Sequence, residues 1–113
     1  MSDKRYGPAY LANSATNIMQ GGGGTSGLYD NVQGIEICNT DTVQQTFSIW
    51  LGATGASAGG TELFKDYPVG AKQTLMFPYP GKGKRLDSTE YLVGLASAAS
   101  KVTIEIIYQR NAT

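Results

Sequence analysis

The sequence predicts an all-β fold, an antiparallel, jelly-roll-like β-sandwich of about seven or eight strands. Three observations predict it. Apolar residues recur with period two along several short runs, as in strands with one face buried. The runs are separated by clusters of Gly, Pro, Asn, Asp and Ser, which stop strands and make turns. No stretch holds apolar residues at i, i+3, i+4 and i+7 over successive turns without Gly or Pro intervening, so no amphipathic helix is expected.

Taken in chain order, residues 10–12 form a possible edge strand and residues 15–20 a short one. Gly21 to Gly24, followed by Thr25-Ser26-Gly27, reads as a flexible connector. It divides an N-terminal segment, residues 1–24, from a sandwich domain, residues 25–113, and leaves open whether the segment packs on its own sheet or on a neighbour. Ile35 and Ile37 alternate with Glu36 and Cys38 in the next strand, and Asn39-Thr40-Asp41-Thr42 should close it with an Asx-type turn. Phe47, Ile49 and Leu51 share one face of residues 46–51, with Trp50 on the other. A Gly, Ala, Ser and Thr loop over residues 52–60 leads to strands at 62–67 and 74–77. Pro78-Tyr79-Pro80-Gly81 stops the latter, because proline cannot donate to a ladder. Tyr91, Val93 and Leu95 alternate with Leu92 and Gly94, and Val102, Ile104, Ile106 and Tyr108 alternate with Thr103 and Glu105.

Composition narrows the function. The 113 residues carry nine basic and nine acidic side chains, and a neutral chain has no general pull toward nucleic acid or a membrane surface. Charged residues are 16% of the chain, against roughly 25% in an average domain, as expected where much of the surface meets other protein. Cys38 is the single cysteine; it excludes an intramolecular disulfide and reads as a buried structural thiol. The opening Met1-Ser2-Asp3-Lys4-Arg5 leads into no apolar signal core, so synthesis and retention in a cytoplasm are expected.

The absence of histidine removes the side chain best suited to proton transfer near neutral pH, along with Ser–His and Cys–His nucleophile pairs. No enzyme, cofactor or metal site is expected. Glu62 with Asp66, and Asp87 with Glu90, are the available carboxylate pairs; both read as solvent-facing charges, because nothing predicts their convergence across a cleft. Gly81-Lys82-Gly83-Lys84 lacks the order of a phosphate-binding loop.

Candidate interface residues remain. Lys82, Lys84 and Arg85 gather three cations, suited to an acidic protein rim or to a solvated hairpin tip. Tyr10 and Tyr79 belong to a set of seven tyrosines, a residue favoured at interfaces. Trp50 lies opposite the apolar face of its strand, so either that strand is buried on both faces or Trp50 anchors another chain.

The run Gly34-Ile35-Glu36-Ile37-Cys38-Asn39-Thr40-Asp41, leading into Gln45-Thr46-Phe47-Ser48-Ile49-Trp50-Leu51-Gly52, resembles the strand, Asn-Thr turn, strand core of small β-sandwich structural proteins of tailed bacteriophages. Leu63-Phe64-Lys65-Asp66-Tyr67-Pro68-Val69, Gln73-Thr74-Leu75-Met76-Phe77, and residues 86–97 ending in Ala96-Ser97 continue the likeness, as does Tyr10-Leu11-Ala12-Asn13-Ser14 at the first strand. The resemblance implies a virion component. The first expectation is a capsid decoration protein on the outer head surface, binding the major capsid protein as a homo-oligomer, with a trimer favoured. A tail, head-fibre or collar adaptor is the alternative. It implies no catalytic residue. A carbohydrate-binding sandwich, with Trp50 and tyrosines against sugar rings, is the alternative of another class.

Overall fold

A computed structural model describes residues 3–52 and 61–113. These form two antiparallel sheets packed face to face. The strands are β1 (Asp3–Tyr10), β2 (Thr16–Gln20), β3 (Leu28–Asn39), β4 (Gln45–Gly52), β5 (Glu62–Val69), β6 (Thr74–Pro78), β7 (Lys84–Asp87), β8 (Tyr91–Ala96) and β9 (Val102–Ala112). Sheet A has the order β1-β9-β3-β6, with β7 also pairing with β3; sheet B has the order β2-β8-β4-β5. β6 pairs with Gly34 to Cys38, and β7 with Tyr29 to Val32. The two therefore occupy successive stretches of one edge of β3, and counting them as one interrupted strand gives the eight-stranded double Greek key of a jelly roll.

Alternation decides which side chains enter the core. Ile35, Ile37, Ile104 and Ile106 are fully or almost fully buried. Register places Ile35 opposite Ile106 and Ile37 opposite Ile104, and residues directly opposite share a face. From sheet B, Phe47, Ile49 and Leu92 meet them. Phe77 of sheet A joins Phe47, Phe64 and Tyr67 of sheet B in an aromatic cluster, with ring centroids 4.6 to 6.1 Å apart. Tilted and edge-on contacts of this kind add to area burial.

The Asn39 turn forms as its residues predict. The Asp41 N–H donates to Asn39 Oδ1 at 2.9 Å. Asn39 is also fully buried, and its amide nitrogen lies 2.9 Å from the Val43 carbonyl and 3.0 Å from that of Val69. One side chain thus closes the β3–β4 turn and ties it to the end of β5.

Three features differ from the sequence reading. First, residues 1–24 are not a separate segment as far as they are described: β1 pairs with β9 and β2 with β8, adding an outer strand to each sheet of the same sandwich. The tract Gly21–Gly24 is a packed 3-10 turn in which Gly21 and Gly22 are buried. Gly22, Gly23 and Gly24 have φ of 58°, 66° and 81°, which L side chains adopt with strain, and a Cβ on Gly21 would overlap the carbonyls of Leu86 and Asp87. Second, residues 79–83 do not turn a hairpin. They loop out between β6 and β7, and the Tyr79 N–H donates to the Gln33 carbonyl at 2.8 Å. Third, Cys38 is half-buried rather than buried, because alternation turns it to the outer face of sheet A with Glu36. Most of the loop expected at residues 52–60 lies outside the described residues.

Candidate functional surfaces

The expected interface residues fall in three places. Tyr10 is 58% exposed at the end of β1, opposite Thr103 on the outer face of sheet A. Tyr79 and Lys82 belong to the loop at the far edge of that sheet, and Lys84 and Arg85 begin β7 just beyond it. Trp50 lies on sheet B.

The cations at residues 82–85 are partly committed within the chain. Arg85 Nε donates to Asp87 Oδ1 at 2.6 Å, and its guanidinium stacks 3.7 Å from the Tyr29 ring centroid. The Asp87 hydrogen bond raises the Arg85 pKa above its ordinary value. Lys84 Nζ lies 5.8 Å from the Tyr79 ring. Tyr79 packs against the core, and burial raises its phenol pKa. Lys82 is exposed, while its carbonyl accepts from Gln33 Nε2. The group is a braced loop rather than a free cationic tip.

Trp50 is 3% exposed, so it is no surface anchor on this chain. β4 is buried on both faces, as the first of its two sequence readings held: Phe47 and Ile49 face the core, while Ser48 and Trp50 are buried on the other side.

Two features were not singled out in the sequence. The outer face of sheet A runs from Tyr10 on β1, across Thr103, Glu105 and Ile107 on β9 and Glu36 and Cys38 on β3, to Met76 on β6, which is 54% exposed. Period-two alternation could have assembled this face once the strand order was known. The outer face of sheet B holds a cavity of about 260 Å³ whose lining includes Ser48, Trp50, Glu62, Lys65, Asp66 and Leu95. The β4–β5 register shifts between the pairs Phe47–Tyr67 and Ile49–Phe64, leaving Lys65 and Asp66 as a bulge opposite Ser48. Asp66 takes φ of 47°, and its N–H donates to Ser48 Oγ at 2.9 Å.

Among the described residues, no three His, Cys, Asp or Glu side chains converge to hold a metal ion. No described helix is long and apolar enough to cross a membrane. No protein-family model matches the chain, and neither does any curated protein or solved structure.

Proposed function

We propose that the protein is a non-enzymatic structural subunit of a phage virion, a capsid decoration protein that binds and stabilises the assembled head from its outer surface. The observation that carries this reading is the outer face of sheet A, where Tyr10 and Met76 stand 58% and 54% exposed on opposite edge strands of one broad sheet. A face of this kind suits a protein partner, here the major capsid protein, and burying one such side chain is worth about 1.5–3 kcal/mol. The jelly-roll order supports the reading by analogy, since capsid domains use it, and analogy of fold alone does not assign function. A homo-oligomer, most simply a trimer, would present several such faces together. A tail, head-fibre or collar adaptor would use the same face against a different partner.

Co-sedimentation with undecorated heads and with isolated tails tests the reading. The wild-type chain should pellet with heads, and Tyr10→Glu combined with Met76→Glu should abolish pelleting while leaving the circular dichroism spectrum unchanged. Pelleting with tails alone would select the adaptor. Binding to neither particle, or binding untouched by the double substitution, would remove the proposal.

A further inference from the structure

We infer that the outer face of sheet A docks a basic segment of its protein partner, with a lysine or arginine side chain seated on the Glu36–Glu105 pair and apolar neighbours against Tyr10 and Met76. The inference deepens the proposal that this face meets a protein, and it rests on that proposal rather than on which particle supplies the partner.

Strand register assembles the site. Glu36 on β3 stands directly opposite Glu105 on β9, on the two inner strands of the sheet. Residues paired in this way have Cβ atoms about 4.5–5.5 Å apart, so two carboxylates share one patch of surface. Both residues are half-buried. Among the described residues neither joins an ion pair. Arg5 on β1 stands opposite Ile107, one step along the same face from Glu105, and pairs with neither carboxylate. Arg85 is committed to Asp87. Such a like-charge contact weakens the free sheet, and a cation brought from outside would offset it.

The surroundings fit a long cationic side chain carried by a protein. One step along β3 from Glu36 on this face is Gly34, with Ile107 and Pro78 on either side of it in the register. This row is apolar and has no side chain at its centre. A Cβ on Gly34 would meet the Met76 methyl at 3.6 Å, an adaptable neighbour. Lysine and arginine lay their apolar stems along such surface and keep the charge at the tip. Met76 stands directly opposite Glu36, and Tyr10 stands opposite Thr103, one step from Glu105. Both are exposed, and tyrosine and methionine are enriched where proteins meet. A bare metal ion would leave both of them in water, and among the described residues no third ligating side chain joins the two glutamates. A neutral segment would cover two carboxylates without pairing them, which costs their desolvation. An acidic segment would be repelled.

The test is a ¹⁵N–¹H NMR titration of the full chain with three capped peptides: Val-Lys-Leu-Arg-Tyr, the same peptide with Gln at both cationic positions, and the same peptide with Glu there. The basic peptide should move the Tyr10, Glu36, Met76 and Glu105 amide signals saturably, and the other two should not. Added sodium chloride should weaken the binding. Glu36→Gln combined with Glu105→Gln should weaken it on the order of tenfold, as expected for loss of a charge-assisted hydrogen bond. The Tm of that variant should equal or exceed the wild-type value, because the like-charge contact is gone. The inference is overturned if the basic peptide gives no saturable shift on this face, if the Gln or Glu peptide binds as tightly, if the variant binds as the wild type does, or if its Tm falls well below the wild-type value. Co-sedimentation separates this inference from the virion reading. If Tyr10→Glu with Met76→Glu abolishes pelleting with heads while the glutamine variant pellets fully, the docking face stands and the basic-segment inference alone is overturned. Absence of pelleting with both heads and tails removes the virion reading, and the peptide titration alone then upholds or overturns the inference.

Discussion

Replacing Arg110 with methionine should destabilise the protein severely, and the structure sets the scale. Asp30 on β3 is fully buried. Arg110 on β9 reaches it with two hydrogen bonds, Nε to Oδ1 at 2.8 Å and Nη2 to Oδ2 at 3.1 Å. The hydrogen bond to Asp30 raises the Arg110 pKa above its ordinary value. The glycine turn lies across this pair, and a Cβ on Gly23 would come within 2.9 Å of Arg110 Nη1. Removing one partner of a buried pair costs about 3–5 kcal/mol, because the other charge stays buried and uncompensated. The Arg110 side chain is 28% exposed, so the low end applies, about 3 kcal/mol. At roughly 4 °C per kcal/mol for a domain of this size, Tm should drop by about 12 °C. Asp30→Asn should cost less, since the guanidinium left behind can reach water and the carbonyl still accepts from it. Urea unfolding of both variants and of the double variant measures the coupling. An Arg110→Met effect within about 0.5 kcal/mol, the range of ordinary surface changes, would refute the assignment, as would Asp30→Asn proving the more damaging.

Three further outcomes follow from the packing and the turn chemistry. Ile104 is 1% exposed and faces Ile37 across the central pair, so Ile104→Ala should lower stability by about 2–5 kcal/mol in urea titration; an effect within error would mean the face is not packed. A chain starting at Thr25 loses an outer strand from each sheet, so its thermal melt by circular dichroism should lose the cooperative transition; a wild-type melt would show that β1 and β2 are dispensable. The Asp41 carboxylate is held below its ordinary pKa, first by the Thr42 N–H at 2.7 Å and also by the Gln45 amide and the Lys101 and Lys72 charges, against the opposing effect of burial. Its folded pKa is therefore below the unfolded one, and its contribution is present above the ordinary carboxylate range and is lost as pH falls through the folded value. Asp41→Asn should accordingly lose less stability than the wild type between neutral pH and about pH 3; an equal or steeper acid loss in the variant would refute this.

The central strands were legible because each buries one face. Ile35 and Ile37, Phe47 and Ile49, and Ile104 and Ile106 announce period two, and the structure places all six in the core. β1 was read only at its end because Asp3-Lys4-Arg5 is polar and Gly7-Pro8 interrupts the pattern; as an outer strand it needs little apolar surface. β7 is four residues long with only Leu86 buried, too short to show a period. The glycine tract misled because composition reports what glycine permits, whereas the fold uses it for positive φ and close approach. Asp30 and Arg110 are 80 residues apart, and no local pattern links them. Glu62 and Asp66 read as solvent-facing charges with nothing to predict their convergence, and both line the sheet B cavity. The bulge that carries Lys65 there with them has no signature in the residues themselves.

The strand edges bear on how the sandwich meets a partner. Exposed edges invite pairing with other chains, and proteins guard them with prolines, lysines, bulges and short strands. β1 has Lys4, exposed Pro8 and a register shift beside it. β2 is five residues long and shifted in register. β5 carries the Lys65–Asp66 bulge and Pro68, and the β6–β7 edge is broken by the loop after Pro78. With all four edges guarded, the faces are left for association. On the outer face of sheet A, Glu36 stands directly opposite Glu105, and neither joins an ion pair among the described residues. Like charges directly opposite destabilise a sheet, and stacking this face on a second copy about a two-fold axis would bring four carboxylates together. A different protein bringing cations to the centre and apolar contacts to Tyr10 and Met76 complements the face better than a two-fold copy of the same face does.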